Sequence, residues 1–253
     1  MHNPTFRVME ILKLIGSKPD LTLTDISCEL DFSKSTIQPI LKTLLQLGYI
    51  VQNPDSRTYK IGIETFKISQ SYLSNNSTFD LIKNHMREIV NECNEICQMG
   101  VQDNRSPKNV FYIAKEEPSQ SIALISNIGT SLPAHATALG KCLLSSYSNN
   151  YILELFKYGM EKLTENTITD VNTLIAQLEN IRKENYSIER EEVTEGIECI
   201  AIPLTQDKKV IASLSVSLPT YRSSEEKIES IKTLLLQHKK DIDTILLNNP
   251  LSL

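Results

Sequence analysis

Residues 33–51 read Ser33-Lys34-Ser35-Thr36-Ile37-Gln38-Pro39-Ile40-Leu41-Lys42-Thr43-Leu44-Leu45-Gln46-Leu47-Gly48-Tyr49-Ile50-Val51. On a helical period Ile37, Leu41 and Leu44 share one face, Lys34, Ser35, Gln38 and Lys42 share the other, and Gly48 is the usual stop. Upstream, Phe6, Met9, Ile11, Leu12, Leu14 and Ile15 form an apolar helical pattern that ends at Gly16 and Pro19. Thr22 with Asp25 three residues on is a capping signature for a second helix carrying Leu23, Ile26 and Leu30, and Asp31-Phe32 breaks it. Downstream, Tyr49-Ile50-Val51 and Tyr59-Lys60-Ile61 are strand patterns around the turn-rich Asn53-Pro54-Asp55-Ser56-Arg57. Helix, helix, break, helix, hairpin is the order of a winged helix-turn-helix, in which the third helix offers a polar face to the major groove while its apolar face anchors on the other two. A three-helix bundle without a DNA role has the same periodicity, so pattern alone leaves both readings open.

The chain has 253 residues, 40% hydrophobic and 23% charged, which is ordinary for a soluble globular protein and enough for two domains. Its net charge of −5 does not advertise nucleic-acid binding, but charge is uneven: residues 1–75 net +1 and the remainder −6. Phosphate contact is local, and Lys34, Lys42, Arg57 and Lys60 lie where acids are few. No stretch approaches a membrane span, and no basic segment followed by an apolar run opens the chain, which reads as cytoplasmic without a signal peptide. The five cysteines (Cys28, Cys93, Cys97, Cys142, Cys199) are odd in number and scattered within apolar patterns. They read as reduced, buried thiols, and no second pair accompanies Cys93 and Cys97 to complete a metal site.

Gly62 to about Asn75 reads as a connecting helix ending in the polar cluster Ser74-Asn75-Asn76-Ser77-Thr78. This gives a DNA-binding domain over 1–62, a linker helix over 63–76 and a second domain over 77–253. A long helix follows with Ile82, Met86, Ile89, Cys93 and Ile96 on its buried face. Strand patterns fall at 98–102, 110–114, 121–125, 186–191, 199–204 and 210–217, with a turn at 104–107. Helices fall at 137–147, 151–158, 171–183 and 225–247. The order suggests an α+β sheet covered on one face, the other forming a pocket. Ser215 and Ser217, two apart on a strand, point to one face. Ala134 to Gly140 is a run of small residues leading into a helix whose first amides favour an anion, and Glu189 lies on a neighbouring strand. A small carboxylate or similar polar metabolite would meet hydroxyls, amides and an acid there. Duller roles also fit: solvent-facing serines, Cys199 as a core thiol, His135 as a loop cap, and Glu191-Glu192 as one solvated and one turn-bonding carboxylate.

Leu23-Thr24-Asp25-Ile26, Ser33-Lys34-Ser35-Thr36, Leu47-Gly48-Tyr49-Ile50 and Tyr59-Lys60-Ile61-Gly62 resemble the DNA-binding domain of the IclR family of transcriptional regulators. Three further stretches resemble its second domain. They are Leu132-Pro133-Ala134-His135-Ala136-Thr137-Ala138-Leu139-Gly140-Lys141 behind Gly129, Glu191-Glu192 with Gly196 to Leu204, and Ala212 to Ser217 with Pro219 and Arg222. The resemblance implies a winged helix-turn-helix followed by a GAF-like (profilin-like) effector-binding domain. It places effector contacts at Leu132, Ala138, Leu139, Glu189, Cys199, Ser215 and Ser217. The DNA-facing residues would be Lys34, Ser35, Thr36, Gln38 and Lys42 on the third helix, with Arg57 and Lys60 on the wing. Similar proteins usually have arginine at the position of Pro39, which implies a later helix start near Gln38 or a kink, with weaker or re-aimed DNA binding. Leu139 and Glu189 are bulkier than the alanine and aspartate of carboxylate-binding relatives, which narrows the pocket.

The implied function is a repressor whose grip on a double-stranded operator is modulated by a small effector, as a homodimer or homotetramer with no cofactor and no membrane partner. Two other classes stay open. His135, Cys199 and Glu189 would supply a thiol- or metal-dependent enzyme, though no nucleophile motif, metal-ligand pair or phosphate loop accompanies them. An interaction protein that keeps the fold but has lost DNA binding is the other.

Overall fold

A computed structural model describes residues 3–18, 20–74, 77–103, 106–119 and 127–251. Two compact units divide the chain, Met1–Asn75 and Asn76–Leu253.

In the first unit α1 (Asn3–Ser17), α2 (Leu23–Leu30) and α3 (Lys34–Gln46) pack around Ile11, Ile15, Ile26, Ile37, Leu41 and Leu44. The expected capping box is present at α2: Thr22 accepts from the Asp25 amide while the Asp25 carboxylate accepts from the Thr22 amide. Ser33 caps α3 through the Thr36 amide. At the other end Gly48 takes φ +75°. The Tyr49 amide donates to Leu44 O and the Gly48 amide to Leu45 O, the paired bonds that close a helix on a left-handed residue. The chain then enters the wing, where β1 (Ile50–Gln52) and β2 (Tyr59–Ile61) pair antiparallel with Ile50 opposite Ile61. Helix α4 (Ile63–Ser74) follows and is tied back by Thr65 Oγ1, which donates to Tyr49 O at 3.2 Å. It belongs to the first compact unit.

The second unit is built on a six-stranded antiparallel sheet in the order β5-β4-β3-β8-β7-β6. The strands are β3 (Ile96–Gln102), β4 (Asn109–Glu116), β5 (Ser131–Pro133), β6 (Ser187–Arg190), β7 (Ile197–Gln206) and β8 (Lys209–Pro219). Helices α5 (Ser77–Cys93) and α9 (Glu225–Asn248) cover one face, packing on Met99, Ile202, Leu214 and Val216. Helices α6 (Ala138–Leu144), α7 (Asn149–Leu155) and α8 (Val171–Glu184) form a second core on the other, around Leu139, Leu143, Ile152, Leu174 and Leu178.

The expectation of one covered face is therefore corrected. The centres of β7 and β8 are unbroken buried runs, 200–204 and 212–219, and a strand buried on both sides loses the alternation that marks a solvated face. Ile96 is not on α5. Asn94 at φ 57° ends the helix, and Ile96 opens β3. Strand β5, three residues long, is too short to show a period and is not among the expected strands. The strand pattern at 121–125, Pro19, Asn104-Arg105 and Asn75-Asn76 lie outside the described residues. Of the cysteines, Cys93, Cys97 and Cys142 are buried, but Cys28 is exposed on α2, against expectation. All five are free thiols.

Candidate functional site

Helix α3 presents Lys34, Ser35, Gln38 and Lys42 to solvent while Ile37, Leu41 and Leu44 are buried beneath them. No acid occurs anywhere along it, so the ridge is open to an anion. Thr36 is half-buried, with its hydroxyl 2.8 Å from Ser33 Oγ, which turns it toward capping rather than outward. On the wing, Arg57 is exposed at a left-handed φ of 59°, its amide donating to Asn53 O. Lys60 is exposed and lies 3.2 Å from the Asp20 carboxylate.

Pro39 neither delays α3 nor ends it, since the helix runs from Lys34 to Gln46 with the proline inside. What proline removes is the amide that would have bonded the Ser35 carbonyl, and Ser35 is an exposed residue that water can reach. Pro39 also borders a groove of about 660 Å³ whose other walls include Val8, Met9, Leu12, Leu47 and Ile68. Substituting Pro39→Ala should raise the stability of this unit by about 1–3 kcal/mol through the recovered hydrogen bond and relieved crowding. Urea unfolding of the two proteins side by side checks it, and an unchanged midpoint would mean that the helix has already absorbed the proline.

The second unit holds a partly open cavity of about 160 Å³ at the start of α6, against the sheet. Leu132, Ala138, Leu139, Glu189, Cys199, Ser215 and Ser217 all line it. The register explains their convergence: Glu189, Cys199 and Ser217 are directly opposite one another across β6, β7 and β8, and Ser215 stands opposite Gln98 on β3. Both serines are buried, so the solvent-facing reading fails. Cys199 Sγ lies 3.1 Å from Ser217 Oγ, which in turn lies 3.5 Å from Gln98 Oε1.

Gln98, Tyr112, Thr137, Val193, Thr194, Glu195 and Ile197 complete the lining and escaped the sequence reading. Gln98 alone had a usable signal, being a polar residue between Cys97 and Met99 in an apolar strand. The others depend on how the 193–197 turn and β4 fold over.

Burial sets the electrostatics. It lifts the Glu189 carboxyl to about 7 although the amides of Glu192 and Val193 donate to its Oε1. Burial first, and then the adjacent Glu189, push the Cys199 thiol well above its ordinary range, and burial likewise raises Tyr112. At neutral pH the cavity thus offers hydroxyls, a thiol, a phenol, the half-ionised carboxyl of Glu189 and the exposed side chain of Glu195. A protonated thiol beside an acid is the reverse of an activated nucleophile.

Three expectations about the surroundings change. The α6 N-terminus is partly spent, because Thr137 Oγ1 accepts from the Gly140 amide at 3.0 Å. Glu192 is not solvated: it is buried in contact with Lys141, which is wholly buried. Its partner Glu191 accepts from the Gly196 amide at 2.7 Å and serves the turn. His135 bonds Glu161 O at 2.9 Å rather than its own loop, and burial lowers its pKa. Arg222, just beyond β8, reaches buried Glu95 with two nitrogens, at 3.1 and 2.7 Å.

A winged helix-turn-helix joined in one chain to a domain with a mostly apolar cavity that carries a few convergent polar groups is the plan of a transcriptional regulator. Residues 5–54 match the family model for the IclR helix-turn-helix domain, and residues 70–244 match that for the bacterial transcriptional regulator IclR C-terminal region. The chain belongs to the IclR family of transcriptional regulators. It is 32% identical over 235 residues to the HTH-type transcriptional regulator KdgR of Escherichia coli, covering 90% of this chain and 87% of that one. An IclR transcriptional regulator from Alicyclobacillus acidocaldarius superposes with a TM-score of 0.87 at 21% identity, over 97% of this chain and 99% of that one. An IclR homolog from Microbacterium hydrocarbonoxydans, solved in complex with 4-hydroxybenzoate, has a TM-score of 0.79 at 20% identity, over 96% and 98%. Among the described residues no helix is long and apolar enough to cross a membrane.

Proposed function

We propose that Lys34, Ser35, Gln38 and Lys42 enter the major groove of an operator, that Arg57 and Lys60 grip its backbone, and that a small organic acid in the second unit alters that grip. The exposed, acid-free ridge backed by buried Ile37, Leu41 and Leu44 carries the reading. Thr36 supports the helix start. Lys60 is held by an exposed pair with Asp20, worth little, so a phosphate can displace it. Occupying the duplex is enough to block transcription, and repression is the direction we assign.

Two copies joined through the first unit would present two ridges to two half-sites. The apolar groove beside Pro39, with Phe6, Met9, Ile63 and Phe66 exposed on α1 and α4, supports that contact. Helix α4 is the natural lever between the units. The neutral, part-buried thiol supports binding rather than catalysis as the role of the cavity. Its hydroxyls and half-ionised Glu189 suit a small carboxylate, and the relative solved with 4-hydroxybenzoate supports effector control.

The test is binding to a duplex carrying the region upstream of the chain's own gene. The Lys34→Ala/Lys42→Ala double variant is expected to bind at least tenfold more weakly, with its salt slope smaller by about 2 per copy. Unchanged affinity and slope would remove the ridge from the interface.

A further inference from the structure

The seam between α5 and α9 carries a group of side chains that neither the cavity nor the DNA face uses. The two helices run antiparallel: Thr78 Oγ1 donates to Asn249 O at one end and Lys227 Nζ to Cys93 O at the other. Between these ties, His85 Nδ1 and His238 Nδ1 stand 2.9 Å apart with their rings edge to face at 78°. Glu88, one turn along from His85, places a carboxylate oxygen 3.7 Å from His85 Nδ1 and 4.0 Å from His238 Nδ1. Ile82, Met86, Leu234, Leu235 and Ile242 around this point are buried and apolar, so packing alone would favour another aliphatic pair.

Two imidazoles meeting nitrogen to nitrogen bond each other only if one carries the proton there and the other does not. A cation between them uses both lone pairs at once. Zinc takes imidazole nitrogen and carboxylate oxygen at about 2.0–2.2 Å, which sets tetrahedral ligands about 3.3 Å apart. The three separations here, 2.9, 3.7 and 4.0 Å, bracket that value, so small side-chain rotations close the set. The imidazoles are mostly covered while the carboxylate is exposed, which leaves a solvent side for entry and for a fourth ligand. Glu92 and Asp241 add negative charge near His238.

We infer that His85, Glu88 and His238 bind a divalent transition-metal ion of the zinc class, with one position open, stapling α5 to α9. Imidazole and carboxylate donors without thiolate fit Zn²⁺, Ni²⁺ or Co²⁺ better than Ca²⁺ or Mg²⁺, which take oxygen ligands.

The experiment is titration of the full-length, metal-stripped chain with Co²⁺, read by visible absorption, followed by competition with Zn²⁺. One saturable equivalent with an intense four-coordinate spectrum is expected, together with a rise in Tm on adding Zn²⁺. His85→Gln and His238→Gln should each lower affinity on the order of 100-fold or more and abolish the Tm rise; Glu88→Gln should lower it about tenfold. Glu88 is exposed, so its variant keeps the test sound if a histidine variant folds poorly. Glu189→Gln controls for the cavity and should leave Co²⁺ binding unchanged. Absence of saturable binding, or variants at His85, Glu88 and His238 that all bind like the parent, would leave only a hydrogen-bonded histidine pair and overturn the inference.

Discussion

Glu192→Gln should remove about 3–5 kcal/mol from the unfolding free energy of the second unit, the loss expected when one member of a buried ion pair is neutralised. Lys141 is wholly buried on α6 and its ammonium contacts the Glu192 carboxylate, which is itself nearly inaccessible. Burial pushes the Glu192 pKa up, and the Lys141 charge pulls it back. The variant leaves a lysine charge with no counter-charge and no route to water. Converting both partners to apolar residues, Lys141→Met with Glu192→Leu, should recover most of the loss, because the desolvation cost of both charges disappears with them. Urea unfolding of the three proteins separates these outcomes; a single variant within about 1 kcal/mol of the parent would mean that water reaches Lys141.

The backbone of Glu192 also supports the cavity. The backbone carbonyl of Glu192 accepts from Thr167 at 2.6 Å, and its amide is one of the two that hold Glu189. Gly140 locks the other side. A Cβ there would lie 2.3 Å from the Ala134 Cα and 2.4 Å from its carbonyl oxygen, so α6 and the 134–137 loop touch backbone to backbone. The small residues at 134–140 permit that close approach, which accounts for their place in the motif.

What was legible in the sequence was whatever one period or one cap could express. Much of the first unit qualified: Thr22 with Asp25 and Gly48 at the α3 stop are local devices, and each is present. The i, i+2 spacing of Ser215 and Ser217 correctly placed both on one face. Their neighbours across the sheet were harder, since the pairing of Glu189 with Cys199 and of Cys199 with Ser217 joins residues 10 and 18 positions apart. The family resemblance supplied those residues; periodicity alone would not have. The reading of Glu191-Glu192 as one solvated and one turn-bonding carboxylate failed on the solvated one, because the partner of Glu192 lies 51 residues away on another element and nothing adjacent marks a glutamate as buried. Likewise, Pro39 looked like a helix boundary because local rules forbid it mid-helix, whereas Ile37, Leu41 and Leu44 packed on α1 and α2 outweigh one lost hydrogen bond.

Glu189→Gln should convert a pH-dependent cavity into a pH-independent one. In the folded chain the Glu189 carboxyl has a pKa of about 7, against an ordinary 4.5, with burial as the leading cause. The folded state therefore keeps a proton that the unfolded state releases. Below pH 4.5 both states are protonated and the residue costs nothing; as pH rises through 7 the penalty grows to about 3 kcal/mol and then levels off. Glutamine can still accept from the amides of Glu192 and Val193 but cannot ionise, so the variant should gain on the parent steadily between those pH values and match its slope elsewhere. A carboxylate in the cavity would face the ionised form as a like charge, so its binding should be accompanied by proton uptake. Parent affinity for such an effector should fall by up to tenfold per pH unit above about 7, whereas the glutamine variant should bind with little change. Calorimetric titration of small organic acids, selected first by the Tm rise they cause, in two buffers of different ionisation heat measures the proton directly. If parent and variant share one pH profile, Glu189 is either solvated in the folded chain or remote from the bound acid, and the reading of this cavity as a site for small carboxylates fails.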